Sequence, residues 1–264
     1  MRRLWQLFKR TFELSASVML VYRANVIFFL LFETVFLAAQ FLTVSVGFNL
    51  AGGQIAGWTR DQAYLLTAVN GLSHQMFICF FINSVFSLGM HVWNGQFDYI
   101  LLKPLHPLVS LWVNGQFVIS NLPTVLINAV VVIVLLTKAS IALVDIPIFL
   151  ALFVIGVVVR VAMSLICVAP VFFSERLGDV EDSFWSVTSL ARYPMSIYPR
   201  FLVAFMTFVI PIGMLSSIPA GVLFGRHGWQ EVLGAVAASI IFTYLAQRIF
   251  MLCLRRYQSV NSGV

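Results

Sequence analysis

Glu33, His74 and Arg160 stand inside long apolar stretches of this sequence, where an ionisable side chain is costly to keep, so each is a candidate for chemistry. Two uses fit the acid and the guanidinium. They can form an ion pair that fixes the register of neighbouring helices, or they can line a path for an ion or polar substrate. At about 1.5 Å per residue counted from opposite ends of their stretches, Glu33 and Arg160 reach similar depths, which permits a contact between helices. His74 fits an interhelical hydrogen bond or a proton relay.

Hydrolytic and metal chemistry have no such foothold. The sequence holds no His-Glu-x-x-His pair and no Gly-x-Ser-x-Gly elbow, and Cys79, Cys167 and Cys253 fall singly in apolar stretches without disulfide or zinc spacing. None of the three lysines, Lys9, Lys103 and Lys138, follows a glycine, so a phosphate-binding loop of the Gly-Lys-Ser/Thr type is excluded. The expectation is a chain with no catalytic residue, no metal site and no cofactor of its own. If ATP is used, another chain binds it.

The elements that must position these residues are membrane helices. Hydrophobic residues make up 61% of the chain and charged ones 10%, against about 25% charged in soluble domains. Apolar windows long enough to cross a bilayer run from Val26 to Gly47, Leu65 to Val92, Leu111 to Thr137, Ile146 to Phe173, Leu202 to Phe224 and Val232 to Leu254. These predict an all-α integral membrane protein with six transmembrane helices in one domain, residues 1–264. Six crossings leave both termini on one side. Arg2, Arg3, Lys9, Arg10 and Arg23 with Arg248, Arg255 and Arg256 outweigh Arg60, Lys138 and Arg226, which makes that side cytoplasmic. The net charge of +6 then belongs to membrane-flanking residues and anionic lipid, not to nucleic-acid binding.

Residues 1–20 predict a basic amphipathic helix lying in the membrane interface. On a helical projection Leu4, Trp5, Leu7, Phe8, Phe12 and Leu14 share one side, and Arg2, Arg3, Lys9, Arg10 and Glu13 the other. A plain cytoplasmic lead-in is the alternative; a signal peptide is not, because Lys9, Arg10 and Glu13 interrupt its core. The window 202–224 is broken by Pro211 and Pro219, and such breaks at membrane depth need protein or a water-filled cavity to cover the freed backbone. Asp182 to Ile197, DSFWSVTSLARYPMSI, offers a substitute crossing, with 202–224 then re-entrant. Charge counting favours the plain crossing, which keeps Arg192 and Arg200 cytoplasmic.

Between the second and third windows lies a polar-edged insert on the cytoplasmic side, Asn94 to Leu108, reading NGQFDYILLKPLHPL. Asn94-Gly95 ends the preceding helix, Asp98 suits the start of a short helix and Lys103 its end, and Pro104 and Pro107 stop it. Phe97, Ile100 and Leu101 fall on one face, interrupted by Tyr99 and Leu102. A helix this short does not stand alone, so it must lean on the protein's own end, on lipid headgroups, or on a cytosolic partner. The tetrapeptide NGQF recurs at 114–117, again at a window edge, and reads as boundary chemistry or chance.

The segment GQFDYILLKPLHPL resembles the Gly-x-hydrophobic-Asp-Tyr-hydrophobic-Leu-Leu-Lys-Pro-Leu-x-Pro stretch of permease subunits of type-2 ABC exporters, in a bacterial subfamily long described as a domain of unknown function. The late Tyr193-Pro194, Ile210-Pro211 and Pro219-Ala220 pairs are similar too. The resemblance implies a permease in the bacterial cytoplasmic (inner) membrane that docks a separate ABC ATP-binding subunit, on which ATP and Mg sit. Docking would use a coupling helix, Phe97 to Lys103, with Phe97, Asp98, Tyr99, Lys103, Pro104 and His106 as contacts. It also implies a second permease, identical or paralogous, and a re-entrant 202–224. Glu175, Asp179, Glu181 and Asp182 offer a second docking patch or a solvated loop. Two other functions fit the residues alone: a carrier or channel driven by an ion gradient through Glu33, Arg160 and His74, and a non-transporting membrane anchor.

Overall fold

The structure is a computed structural model that describes residues 2–115, 117–139, 141–142, 144–173 and 178–257. Glu175 lies outside the described residues, as do the side chains of Asp179 and of Arg2, Arg3, Leu4, Trp5, Leu7 and Phe8.

The chain opens with helix α1 (Arg2–Val21), which turns at Tyr22 into α2 (Arg23–Leu50). A two-stranded hairpin follows, β1 (Gln54–Ile55) and β2 (Trp58–Thr59). Its turn residues Ala56 and Gly57 both have positive φ, 49° and 80°, the geometry of a tight two-residue hairpin turn that favours glycine. Thr59 then caps α3 (Arg60–Phe80) reciprocally with Gln62. The predicted second span does not continue as one rod. It bends at Phe81 into α4 (Ile82–Phe86) and α5 (Leu88–Trp93), with an angle of 56° across the break.

Gly95, at φ 67°, stops α5 and leads into α6 (Phe97–Leu101) and α7 (Pro107–Asn114). The third predicted window is therefore cut, since Leu111 belongs to α7 and the long helix begins later. Gly115 explains the cut. It passes so close to α4 that a Cβ there would lie 2.4 Å from the Ser84 Cα. Beyond it the Val118 amide donates to the Cys79 carbonyl, a 3-10 turn spans Ile119–Asn121, and α8 (Leu122–Lys138) carries Pro123 in its first turn, where a missing N–H does no harm. The two NGQF copies thus place their glycines for different reasons, one for a positive φ and one for a close approach.

Helix α9 (Asp145–Val168), extended by the 3-10 turn Ala169–Phe172, and α10 (Gly178–Ser189) come next. Short turns at Leu190–Arg192 and Met195–Ile197 lead to α11 (Arg200–Phe208). The window 202–224 is not one helix. After α11 the chain breaks before Pro211, makes a 3-10 turn over Ile212–Leu215, and forms α12 (Ser217–Val222). Pro211 lacks an N–H and holds Ile210 away from the helical region. Residues 211–221 are buried, so protein covers the backbone that the break frees. Their approach to α9 is close: a Cβ on Gly156 would meet the Met214 carbonyl oxygen at 2.3 Å. Helix α13 (Trp229–Leu254) completes the fold.

The protein is an all-α membrane protein. Among the described residues four helical stretches are long and apolar enough to cross a bilayer: Arg23–Leu50, Ile119–Lys138, Asp145–Phe172 and Trp229–Leu254. The bent α3–α5 pair makes a fifth if counted as one span. The core forms around α3 and α9, whose Leu65, Leu66, Ala68, Phe77 and Val159 are fully enclosed. By contrast α2 buries little more than Val26, Leu37 and Phe48 and leaves Ile27, Phe28, Leu31, Phe32 and Val35 on the surface. Such a face is not penalised in lipid, which is as apolar as the side chains themselves.

Two ends of the molecule are distinct. At one, Trp58 is buried beneath Arg226, whose guanidinium lies 4.5 Å from the indole centroid and donates to Gln62 Oε1 at 2.6 Å. Ser196 meets the same hairpin: the Trp58 indole N–H donates to its hydroxyl at 3.1 Å. At the other end Val85, Leu88, Phe97, Ile100, Leu111, Val168, Val171 and Phe250 form a separate apolar cluster, with Val180 of α10 against it. Residues 180–196 therefore lead from the Phe97 end to the hairpin end.

Candidate functional site

The polar run Asn70-Gly-Leu-Ser-His-Gln75 in the middle of α3 builds one candidate site. Positions 70, 73 and 74 are spaced to share a helix face, and Gln75 turns the other way. Because α3 packs against both α2 and α9, it stands between Glu33 and Arg160 and supplies partners to each. Gln75 Nε2 donates to Glu33 Oε2 at 2.6 Å. Arg160, 1% exposed, donates from Nε to Ser73 Oγ at 3.1 Å and from Nη2 to Asn70 Oδ1 at 2.9 Å. The contact that depth counting permits between Glu33 and Arg160 is thus replaced by two sets of neutral partners. Neither Glu33 nor Arg160 forms an ion pair with a described residue; Lys9 pairs with Glu13, and His227 approaches Glu231, both elsewhere.

Glu33, His74 and Arg160 nonetheless line one cavity of about 260 Å³, walled by Phe32 and Phe36 of α2 and by Trp185, Thr188 and Ser189 of α10. Arg192, from the turn after α10, enters the same cavity and lies 5.7 Å from the Phe36 ring centroid. The His74 ring sits 5.0 Å from the Trp185 ring. Behind Glu33 a buried chain of hydrogen bonds continues: Asn121 Nδ2 donates to Gln75 Oε1 at 2.7 Å, and the Thr124 hydroxyl donates to Asn121 Oδ1 at 2.7 Å. The arrangement holds two guanidinium groups and one carboxylate around this cavity, which opens at the exposed Phe32, Phe36 and Arg192. It can bind a polar or charged group; it presents no nucleophile with a base beside it.

Asn70, Ser73 and Gln75 were visible in sequence only as a polar interruption of an apolar window. Arg192 was placed by charge counting with the cytoplasmic residues. Its signal was the amphiphilic pattern of residues 182–197, whose Trp185, Thr188, Ser189 and Arg192 recur at helical spacing and all face the cavity. Pro211 and Pro219 stand apart from this cavity, in the buried break beside α9.

The second candidate site is the insert. Helix α6 is shorter than the predicted Phe97 to Lys103, ending at Leu101, because residues 102–105 turn toward Pro107. Its inner face is pinned. Phe97, 2% exposed, packs its ring 5.7 Å from Phe172 and 5.3 Å from Tyr257, and the Ile100 carbonyl accepts from the buried Ser110 hydroxyl at 2.8 Å. His106 caps α7, its Nδ1 accepting from the Leu108 amide at 3.4 Å. Asp98 faces Tyr257; burial first, and then this carboxylate, hold the Tyr257 phenol above its ordinary range. The outer face is the reverse: Tyr99 is 73% exposed and Leu102 78%, with Lys103 and Pro104 exposed beside them. Tyr99 and Leu102, which interrupt the amphipathic pattern, are the residues that project.

Among known proteins, the family model described as ABC-2 family transporter protein matches residues 34–261. No curated protein and no solved structure matches the chain.

Proposed function

Because this chain belongs to the ABC-2 transporter family, we propose that it is the membrane-spanning permease of an ATP-driven exporter, docked through residues 94–108 to a separate ATP-binding subunit. The observation that carries this reading is the division of α6. Phe97 and Ile100 anchor it to the ends of α9 and α13, while Tyr99, Leu102, Lys103 and Pro104 face outward on a rigidly held ledge. An exposed aromatic and leucine pair beside charge suits a groove on a protein partner. Phe97 acts in this reading as the anchor behind the contact, and Asp98 and His106 shape the ledge. The partner holds ATP and Mg; its closure would move α6, and with it the helices on which Phe97 is packed, as one body.

The same reading orders the chain in the bilayer. Residues 180–196 run the length of the molecule and serve as the fifth crossing, while 200–224 dips in and returns. Helices α11 and α12, nine and six residues long, reach about 14 and 9 Å, against a hydrocarbon core of about 30 Å. Both termini then lie in the cytoplasm of a bacterial cell, with the hairpin outside and α1 in the interface. The apolar face of α2 would meet lipid or a second permease.

Affinity purification in mild detergent with the cognate ATP-binding subunit, followed by ATPase and vesicle-transport assays, tests the assignment. The subunit should co-purify, and its ATPase should depend on this chain. Asp98→Ala with Lys103→Ala should uncouple hydrolysis from transport. No bound ATPase, or unchanged transport in the double variant at normal protein level, would overturn it.

A further inference from the structure

The cavity lined by Glu33, Arg160 and Arg192 carries an unbalanced charge. Arg160 is buried and held by two neutral acceptors, and Arg192 faces the same space, yet neither guanidinium forms an ion pair among the described side chains. The one carboxylate on the rim, Glu33, is bonded to Gln75 instead. An uncompensated guanidinium inside a membrane protein is costly, and the cost falls when an anion completes its donors. Phe32, Phe36 and Trp185 give the rest of the wall an aromatic side, beside Asn70, His74, Thr188 and Ser189. Phe32 and Phe36 stack with centroids 6.5 Å apart on the sparsely covered face of α2, so a hydrocarbon chain has a surface to follow out of the cavity.

We propose that this cavity binds the anionic headgroup, phosphate or carboxylate, of an amphiphile, with Arg160 and Arg192 as its contacts and the aromatic face of α2 along its tail. Planar guanidinium groups suit such oxyanions because each can donate two parallel hydrogen bonds. Glu33 opposes the ligand's charge from the rim of the cavity, and its bond to Gln75 draws it toward α3. A headgroup entering between the arginines meets the Gln75-tethered carboxylate of Glu33 on the rim. Glu33 therefore sets how tightly the anion is held. Whether the occupant is a resident lipid or the transported molecule rests on the permease reading; the binding itself does not.

The test is equilibrium binding of dodecyl phosphate to the purified full chain in phosphatidylcholine nanodiscs, with dodecyltrimethylammonium and inorganic phosphate as competitors. Dodecyl phosphate should bind saturably and resist the cation. Arg192→Gln, at an exposed position, should weaken binding about tenfold or more, the loss expected for a charge-assisted hydrogen bond, and Glu33→Gln should tighten it. Arg160→Gln should abolish binding if the variant folds, and the Arg192 and Glu33 pair decides the matter if it does not. Equal binding of the cation, or unchanged affinity in both Arg192→Gln and Glu33→Gln, would overturn the proposal. Displacement by inorganic phosphate at equal concentration would overturn its amphiphile half. A failed ATPase co-purification leaves these outcomes untouched and strikes the transport role alone.

Discussion

Ser196 and Arg226 donate to adjoining carbonyls of one tight turn: the Ser196 hydroxyl to Ala56 O at 3.3 Å, and the Arg226 guanidinium to Gly57 O. These residues flank the broken segment, so its entry and its exit are tied to one point. A segment that crossed the bilayer would have its flanks on opposite faces. Cysteines introduced as Pro199→Cys and Gly228→Cys, in a background without Cys79, Cys167 and Cys253, should both react with a membrane-impermeant maleimide from the outer face. Labelling of the two from opposite faces would remove the re-entrant arrangement and restore a plain fifth crossing.

The tie itself has a measurable strength. Arg226 stacks on Trp58 and donates to Gln62, so Arg226→Ala should cost about 1–3 kcal/mol, the range for a charge-assisted hydrogen bond with a cation–π contact. Thermal unfolding in detergent reads this directly. Arg226→Lys should recover only part of the loss, because an ammonium cannot both stack flat on the indole and donate in a fork. Full recovery by lysine would mean that charge alone holds the turn.

How much of this was legible in the sequence depends on what each residue answers to. The long apolar helices were readable because lipid imposes length and composition along the chain, and α2, α9 and α13 end within a few residues of their predicted windows. Glu33, His74 and Arg160 were readable because charge in an apolar window is conspicuous, and the structure brings all three to one cavity. Their partners were not, because which neutral side chain a buried charge meets depends on how α3 sits between α2 and α9. The cut at Gly115 was marked only as the second NGQF copy at a window edge, read as boundary chemistry or chance, and its close approach to Ser84, on another helix, was not legible.

Glycine contacts of this kind make sharp probes. Gly156→Ala places a methyl group 2.3 Å from the Met214 carbonyl oxygen, a backbone atom that cannot step aside without moving the turn Ile212–Leu215. Overpacking of this sort costs about 1–3 kcal/mol. Gly234→Ala is the matched control, since its new Cβ meets only the edge of the Phe208 ring at 3.1 Å. Folded yield and thermal midpoint should fall for Gly156→Ala and stay near wild type for Gly234→Ala. Equal behaviour of the two would mean that the break at Pro211 does not rest on α9 as described.

The two faces of α6 predict opposite phenotypes for neighbouring aromatic residues. Phe97 is enclosed by Phe172, Tyr257 and the ends of α9 and α13, so Phe97→Ala opens a cavity and should destabilise the protein by about 3–5 kcal/mol. Tyr99 projects from the same turn with 73% of its surface exposed, and Tyr99→Ala should leave the thermal midpoint within measurement error. Its effect should appear only when the ATP-binding subunit is present, as weaker co-purification and a smaller stimulation of ATPase activity. Combining Tyr99→Ala with Leu102→Ala should deepen that loss, since both side chains stand on the outer ledge. If Tyr99→Ala unfolds the chain, the ledge is part of its core. If the double variant binds and stimulates the subunit as wild type does, the motor docks elsewhere and α6 is a structural brace.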